Sequence, residues 1–416
     1  METNNTIFSS YPSLGTRLQN KKNLLNLIAK SGSISRSQLS SVTGLTPPSV
    51  SKITRAMIED GILLEAGTAE STGKVGRKEI NLSVNPDSAY VIGISLTANR
   101  PNIVLCNAIG ETVDSQNLSD LNFLEINKTI ITIVSRIKNI VFDNSIDKKK
   151  LLGIGISAAS SPGSTADFLV SLPLGWKKVN LREQLERELN LPIKIEPRSS
   201  ALLKAEISQQ EKPEDMYLIN VALNTGVSAY LGGNIFNPMS NGFGSVSHLI
   251  LDAQGPLCLH CGRKGCFETL ASGISIVNLV EKLDNSNKNK DQQLHSLISE
   301  ADNDNTKIKN LFFNAGRNLA KGVDSIMTLF NPSTVIVAGE VGRQKDYSKG
   351  AISMLHELKY KNTEDFLKFS SITSDEAAKS VALDEFVFSK LFNIERLRMD
   401  NNIRMDNNYK ICIVGL

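Results

Sequence analysis

One spacing limits this chain more than any other: His248, nine residues, Cys258, two residues, Cys261, four residues, Cys266, inside the stretch SVSHLILDAQGPLCLHCGRKGCFETL. One imidazole and three thiolates complete a tetrahedral zinc shell, and a C-x2-C pair flanked by glycines is the usual knuckle. Four protein ligands leave no position for water, so a metal here pins a loop and is no Lewis acid. Two other readings compete: a Cys-x-x-Cys redox pair, which normally opens a helix beside a strand, and free thiols packed without a shared role. His260, directly beside Cys261, is a spare but sterically awkward ligand. His295 and His356 read as surface or core residues.

The zinc reading depends on reduced thiols, hence on compartment. No apolar run approaches the roughly 18 residues that cross a bilayer, and METNNTIFSS lacks the basic start and apolar core of a signal peptide. A soluble, cytoplasmic protein without membrane attachment is expected, where closely spaced cysteines serve metal or redox chemistry more often than disulfides. With 41% hydrophobic and 21% charged residues the composition is globular, and 416 residues favour two or more domains.

The net charge of +3 is unevenly placed. Residues 1–90 carry ten Lys and Arg against seven Asp and Glu, so the remainder is neutral. Such asymmetry points to a small module facing a polyanion. Between Thr16 and Lys30 the spacing of Leu18, Leu24, Leu25, Leu27 and Ile28 predicts a helix that stops at Ser31-Gly32. Ser35 can cap a second helix, with Leu39 and Val42 as its core face and Gly44 as its end. Thr46 is the natural N-cap of a third, with Pro47 at the first helical position and Val50, Ile53 and Met57 facing inward. This leaves Ser49, Ser51, Lys52 and Arg55 on other faces, suited to base edges and phosphates, with Thr46 and Arg36 at the helix starts. Ile62–Leu64 and Ile80–Val84 read as strands around a polar loop bearing Lys74, Arg77 and Lys78. The sum is a winged helix-turn-helix facing double-stranded DNA, with an A·T-containing inverted repeat as the expected operator. A scaffold of three packed helices with ordinary solvated cations is the competing reading.

From Tyr90 the pattern changes. YVIGISL, NIVLCNAIG and ETVDSQN read as hairpin-linked strands, followed by a helix near Phe123–Val141, the strand LLGIGIS, the helix LREQLERELN and the strand LPIKIE. A similar series starts at MYLINVALNTG. This predicts an α/β body with a mixed sheet in two related lobes. LDNSNKNKDQQ reads as an exposed loop, and the twice-occurring RMDNN near the C-terminus is too short for a repeat architecture.

GSVSH followed by CLHCGRKGCFE resembles the signature of the ROK family of repressors, open reading frames and sugar kinases, with GIGISAASSPG, LPLGWKKVNLREQLERELNLPIKIE and NPSTVIVAGEVG in support. The resemblance implies a bilobal, actin-like, sugar-kinase-like body with a ligand cleft and a zinc knuckle. The N-terminal module is similar to that of the repressor branch, which includes xylose and N-acetylglucosamine repressors. Domains are then expected at residues 1–85 (winged helix-turn-helix), 86–205 (first lobe) and 206–416 (second lobe with the zinc loop), the last helix being free to return to the first lobe. The resemblance also implies a homodimer or homotetramer.

The departures from that pattern argue against catalysis. The family's E-N-D-A-N run supplies the aspartate base; here it reads EPRSS, and Arg198, cationic at pH 7, cannot accept a proton. D-I-G-G-T-K appears as SLTANR, G-T-G-x-G-G-G as NTGVSAY, where Thr225 and Gly226 survive but Ser228, Ala229 and Tyr230 replace glycines, and LGGG as AGEV; with these elements altered, no ATP is expected. Of the family's sugar contacts His248 and Glu268 remain, while Ser245 replaces a glutamate and Pro197 an asparagine. The effector is then an unusual sugar derivative, an anion received by Arg198, or absent, and Glu268 is alternatively a partner of the zinc loop. The chain reads as a non-enzymatic regulator of carbohydrate genes. A body answering to a protein partner is the alternative, and an ATP-dependent sugar kinase the outlier.

Overall fold

The computed structural model describes residues 13–68, 80–98, 100–161, 163–165, 167–171, 173–210, 212–236, 246–281 and 289–388. They fall into two compact units, one gathered on the N-terminal residues up to Ala89 together with Asp147–Leu151, the other on Tyr90–Ile146 and Leu152–Val387.

The first unit holds α1 (Ser13–Ser31), β1 (Ile34–Ser35), α2 (Arg36–Thr43), α3 (Pro47–Glu59), β2 (Leu63–Thr68) and β3 (Ile80–Val84), with strand order β1-β3-β2. Local chemistry fixes the helix ends. Gly32 follows α1 at φ +66°, and Gly44 closes α2 at φ +68° with its N–H on the Ser40 carbonyl. Ser35 and Gln38 form a reciprocal capping box at the start of α2. Leu24, Ile28, Leu39, Val50, Met57 and Leu82 are fully buried and make the core. Two expectations need correction. Val42 was assigned to the core face of α2 but is 63% exposed. Thr46 does precede α3, yet makes no capping hydrogen bond, because its hydroxyl pairs with that of Ser49 at 2.9 Å.

The second unit contains two five-stranded sheets built in the same order. In the first, β4 (Tyr90–Leu96), β5 (Asn102–Asn107) and β6 (Thr112–Asn117) form an antiparallel meander, α4 (Ile126–Asp143) crosses over, and β7 (Leu151–Ala158) returns beside β4. The ribbon of β8 (Leu169–Ser171) and β9 (Trp176–Val179) leads to α5 (Leu181–Leu189), β10 (Ile193–Pro197), which is parallel to β7, and α6 (Arg198–Ser208). In the second sheet β11 (Met216–Val221), β12 (Thr225–Leu231) and β13 (Asn234–Phe236) repeat the meander. The helices α7 (Phe267–Ala271), α8 (Gly273–Glu281), α9 (Lys290–Asp302) and α10 (Thr306–Phe330) follow. Next come β14 (Thr334–Ala338), parallel to β11, then α11 (Gly339–Gly342), α12 (Lys345–Glu357), β15 (Leu367–Phe369) and α13 (Ser374–Leu383).

Strand β11 shows how the second sheet is anchored. Its alternate side chains serve two cores: Tyr217, Ile219 and Val221 pack with Phe267, Phe312, Leu319 and Tyr347, while Met216 and Leu218 pack with Leu202 of α6 and Val381 of α13. Helix α13 also lies on the first sheet, where two strands have no side chain beneath it. A Cβ on Gly93 would come within 2.7 Å of the Lys379 nitrogen, and one on Gly155 within 2.3 Å of the Ala382 nitrogen. Helices α6 and α13 are thus held between the sheets, with their N-termini toward the space the two hairpin turns enclose. The stretch read as an exposed loop is partly helix: α9 starts at Lys290, and Gln293 is buried. The RMDNN repeats lie outside the described residues.

Candidate functional site

A cavity of about 1410 Å³ opens between the two sheets. Residues from the β4–β5 turn, the start of α6, the β11–β12 turn, the cysteine loop, α9, α11 and the start of α13 line it.

At one end the four candidate metal ligands converge. One donor atom from each of His248, Cys258, Cys261 and Cys266 lies within 4.8 Å of all the others. His248 Nδ1 is 3.8 Å from Cys258 Sγ, and the sulfurs of Cys261 and Cys266 are 3.4 Å apart. The loop earns this geometry through its glycines. The Gly262 N–H returns to the Cys258 carbonyl at φ +72°, and Gly265 (φ +66°) leaves its missing Cβ only 1.4 Å from the Asp252 carbonyl oxygen, so no other residue fits. The electrostatics also suit a cation. The Arg263 backbone N–H and guanidinium bring the Cys261 thiol down to about 7, while burial beside two other sulfurs pushes Cys266 up. Burial, with His260 and Arg263 nearby, holds the His248 imidazole below its ordinary value and therefore neutral, the form that ligates. Three crowded sulfurs resist joint ionisation, a cost a divalent ion would remove, so the cluster can bind a metal ion. His260 stands beside it, ring centroid 6.4 Å from that of His248, outside the convergent set.

Glu268, two residues beyond Cys266, is 3% exposed. Its carboxylate accepts from Asn224 Nδ2 at 2.6 Å and from the Thr225 N–H at 2.9 Å, which clamps the β11–β12 turn. Burial raises its pKa against those bonds. Ser247 adds a bond from its hydroxyl to the Thr225 carbonyl at 2.9 Å; Ser245 lies outside the described residues.

Near the β11–β12 turn stands Arg198, the first residue of α6. Its Nη2 donates to Ser374 Oγ at 2.9 Å, and its buried Nε makes no hydrogen bond. Burial lowers its pKa, opposed by Glu340, yet a guanidinium remains charged at any physiological pH. The sequence reading missed the residues around it. Glu340, in ion-pair reach of His295 at 3.2 Å, and Arg343 come from α11 and its cap, and Asp291 is one helical turn before His295 on α9. The i, i+4 spacing of Asp291 and His295 was the available signal, obscured by the polar run before it.

The former phosphate loops are filled from within. Asp375, in the first turn of α13, accepts from Ser95 Oγ at 3.0 Å and from Asn102 Nδ2 at 2.7 Å, placing a carboxylate at the mouth of the first hairpin. Beside the second hairpin, Ser228 of β12 bonds the hydroxyls of Ser199 and Ser200 of α6 at 2.9 and 3.1 Å, with Ser199 bonded on to the Val227 carbonyl. Glycine N–H groups would cradle phosphate there; these groups spend their hydrogen bonds on each other.

In the first unit Ser49, Lys52 and Arg55 are exposed and Ser51 is half-buried along α3. Arg36 is committed elsewhere: its Nη2 pairs with Glu65 at 3.0 Å and its Nε donates to Thr54 Oγ1 at 3.2 Å. Lys74, Arg77 and Lys78 fall outside the described residues.

The ROK family profile matches residues 91–379. The chain belongs to the ROK family. Residues 17–63 match a winged helix-turn-helix DNA-binding profile. Among curated relatives, the xylose repressor of Bacillus subtilis (strain 168) is 25% identical over 325 residues, 77% of this chain and 82% of that protein. The DNA-binding transcriptional dual regulator NagC of Escherichia coli (strain K12) is 27% identical over 334 residues, covering 77% and 80%. Among solved structures, a ROK family transcriptional regulator described as a homologue of the E. coli MLC protein superposes with TM-score 0.72 at 20% identity, over 92% of this chain and all of that one. A ROK family glucokinase from Streptomyces griseus, in complex with glucose and AMPPNP, reaches TM-score 0.57 at 15% identity, over 71% of this chain and 98% of that one. The ROK member thus combines the winged DNA-binding module with the sugar-kinase-like α/β body. Among the described residues no helix is long and apolar enough to cross a membrane.

Proposed function

We propose that this ROK protein is a cytoplasmic transcriptional regulator, a repressor of carbohydrate genes, which reads an inverted repeat as a homodimer or homotetramer and uses the cleft to sense an effector. The observation that carries this reading is Arg198 at the entrance of α6, where phosphoryl transfer would need a proton acceptor. A cation stands there in place of that acceptor, and Asp375 puts a carboxylate at the mouth of the first hairpin. The names of the curated relatives, a xylose repressor and a DNA-binding transcriptional dual regulator, agree with it. The metal is a structural zinc ion: with three sulfurs and an imidazole as donors the shell is closed, and the ion holds the loop carrying Glu268. In the winged unit Ser49, Ser51, Lys52 and Arg55 contact DNA, while Thr46 and Arg36 shape the helix starts.

Fluorescence anisotropy on duplexes from the region upstream of the gene tests the DNA reading. Affinity is expected to fall steeply with salt, and Arg55→Ala to weaken it about tenfold and lower the salt slope by about one. Salt-insensitive binding overturns it. A coupled assay with ATP and hexoses is expected to show no turnover; turnover lost on Glu268→Gln would restore the kinase. A second reading, in which the body answers to a protein, has Ile250, Leu257 and Leu259 in its favour, exposed apolar side chains around the metal loop. Melting curves that no sugar or sugar derivative moves would favour it.

A further inference from the structure

Two buried polar atoms on one side of the cleft, Arg198 Nε and Asn220 Oδ1, make no hydrogen bond among the described residues. The hydroxyl of Thr225 beside them is shielded from solvent and sits against the Glu268 carboxylate, and all three residues line the cavity. Asn220 is 6% exposed. Strand register sets Asn220 opposite Gly226, the residue after Thr225, and a Cβ on Gly226 would lie 3.4 Å from the Cβ of Ser199, the residue after Arg198. Native interiors leave few such groups unsatisfied, so a cluster on a cavity wall points to something that enters the cavity.

The chemistry of the three is specific. Arg198 is a cation whose contact partner is a neutral hydroxyl; among the described residues no carboxylate reaches within 4.0 Å of it. Glu340 sits nearby but is in reach of His295, and Arg343 adds a second positive charge to the same wall. A guanidinium with a free Nε edge suits the paired oxygens of an acid group. Asn220 Oδ1 can only accept and Thr225 Oγ1 can do either, which suits hydroxyls. Water can satisfy the amide and the hydroxyl, whereas the cation, penalised by burial, has only Glu340 and Asp291 at longer range to offset it.

We propose that the effector is a polyhydroxy acid, its carboxylate or phosphate received by Arg198 and its hydroxyls by Asn220 and Thr225. This rests on the reading of the cleft as an effector site and narrows it to acids over their neutral parent sugars.

The test is isothermal titration and thermal unfolding of the full chain with glucose, gluconate, glucuronate, glucose 6-phosphate, their pentose counterparts and inorganic phosphate. Acids are expected to bind at least about tenfold more tightly than the neutral sugars, and Arg198→Met to erase that preference while Arg198→Lys keeps part of it. Gluconate or glucuronate ahead of glucose 6-phosphate makes the acid a carboxylate; the reverse makes it a phosphate. Asn220→Ala should weaken the hydroxylated acids and leave inorganic phosphate unchanged. A ligand-independent measurement keeps the idea falsifiable: Arg198→Met should raise the melting temperature of the ligand-free protein, because it removes a cation that burial penalises more than Glu340 and Asp291 favour it. A fall in that temperature, or neutral sugars binding as well as acids, overturns the acid inference but leaves the effector site standing. No binding by any sugar or acid overturns both.

Discussion

The two sheets of the body are variations on one plan, and their hairpin mouths differ in what holds them shut. In each, a carboxylate from the first turn of a helix distant in sequence clamps the turn between the first two strands. Asp375 of α13 takes Ser95 and Asn102, and Glu268 of α7 takes Asn224 and the Thr225 N–H. Glu268 is two residues from Cys266, so its mouth is tied to the metal loop. Asp375 follows Ser374, the partner of Arg198, so its mouth is tied to the cation in the cleft. One mouth is tied to a loop that can hold a metal ion, the other to a cation in the cleft. A fixed half and an adjustable half are what a sensor needs, since a ligand moves an equilibrium only through its different affinity for two arrangements.

The largest effect expected from this contrast lies on the fixed side. Cys266→Ser, or chelation of the native protein, should abolish stoichiometric metal content and lower the melting temperature of the body by roughly 10 °C, as structural zinc contributes directly to folding. A melting temperature unmoved by chelation would break the comparison. Next come the clamps. Glu268→Ala removes a fully buried carboxylate from two half-buried donors and should cost about 3 kcal/mol in urea unfolding, against about 1 kcal/mol for Asp375→Ala, whose own carboxylate is half-buried. Equal costs would mean that the mouths are held alike.

The smallest effect concerns Asp291, whose carboxyl burial and Glu340 push up to about 6. Its folded pKa thus lies above the unfolded value of about 3.9. The protonated acid is no burden below roughly pH 4; stability is lost as pH rises through about 6, because the buried carboxylate must then ionise. Asp291→Asn should raise the melting temperature by a couple of degrees at pH 7 to 8, trimmed by the loss of a charge that favours Arg198. The gain should vanish near pH 4. A gain equal at both pH values would place the cause in packing and not in charge.

What the sequence disclosed and what it hid follow the range of the interactions. The Cys258–Cys266 spacing, the capping at Ser35, the glycine stops at Gly32 and Gly44 and the apolar runs of β4, β7 and β11 are local chemistry, legible without a structure. The substitution at Arg198 was equally plain, being a charge that cannot do a base's work. Arg36 misled because its ion-pair partner Glu65 lies 29 residues away, and the Asp375 clamp on Ser95 spans 280 residues. Nothing in a linear pattern marks such pairs. Asp291 was hidden differently: the run before it is polar enough to pass for a loop, although α9 has already begun at Lys290.

The bare seat beneath α13 gives the adjustable mouth an unexpected weakness. With helix backbone nitrogens this close to where a Cβ on Gly93 or Gly155 would stand, one added methyl acts as a wedge under the helix that carries Ser374 and Asp375. Variants that unlatch this side of the cleft are therefore to be sought among its smallest hidden residues, well away from any surface a ligand could touch.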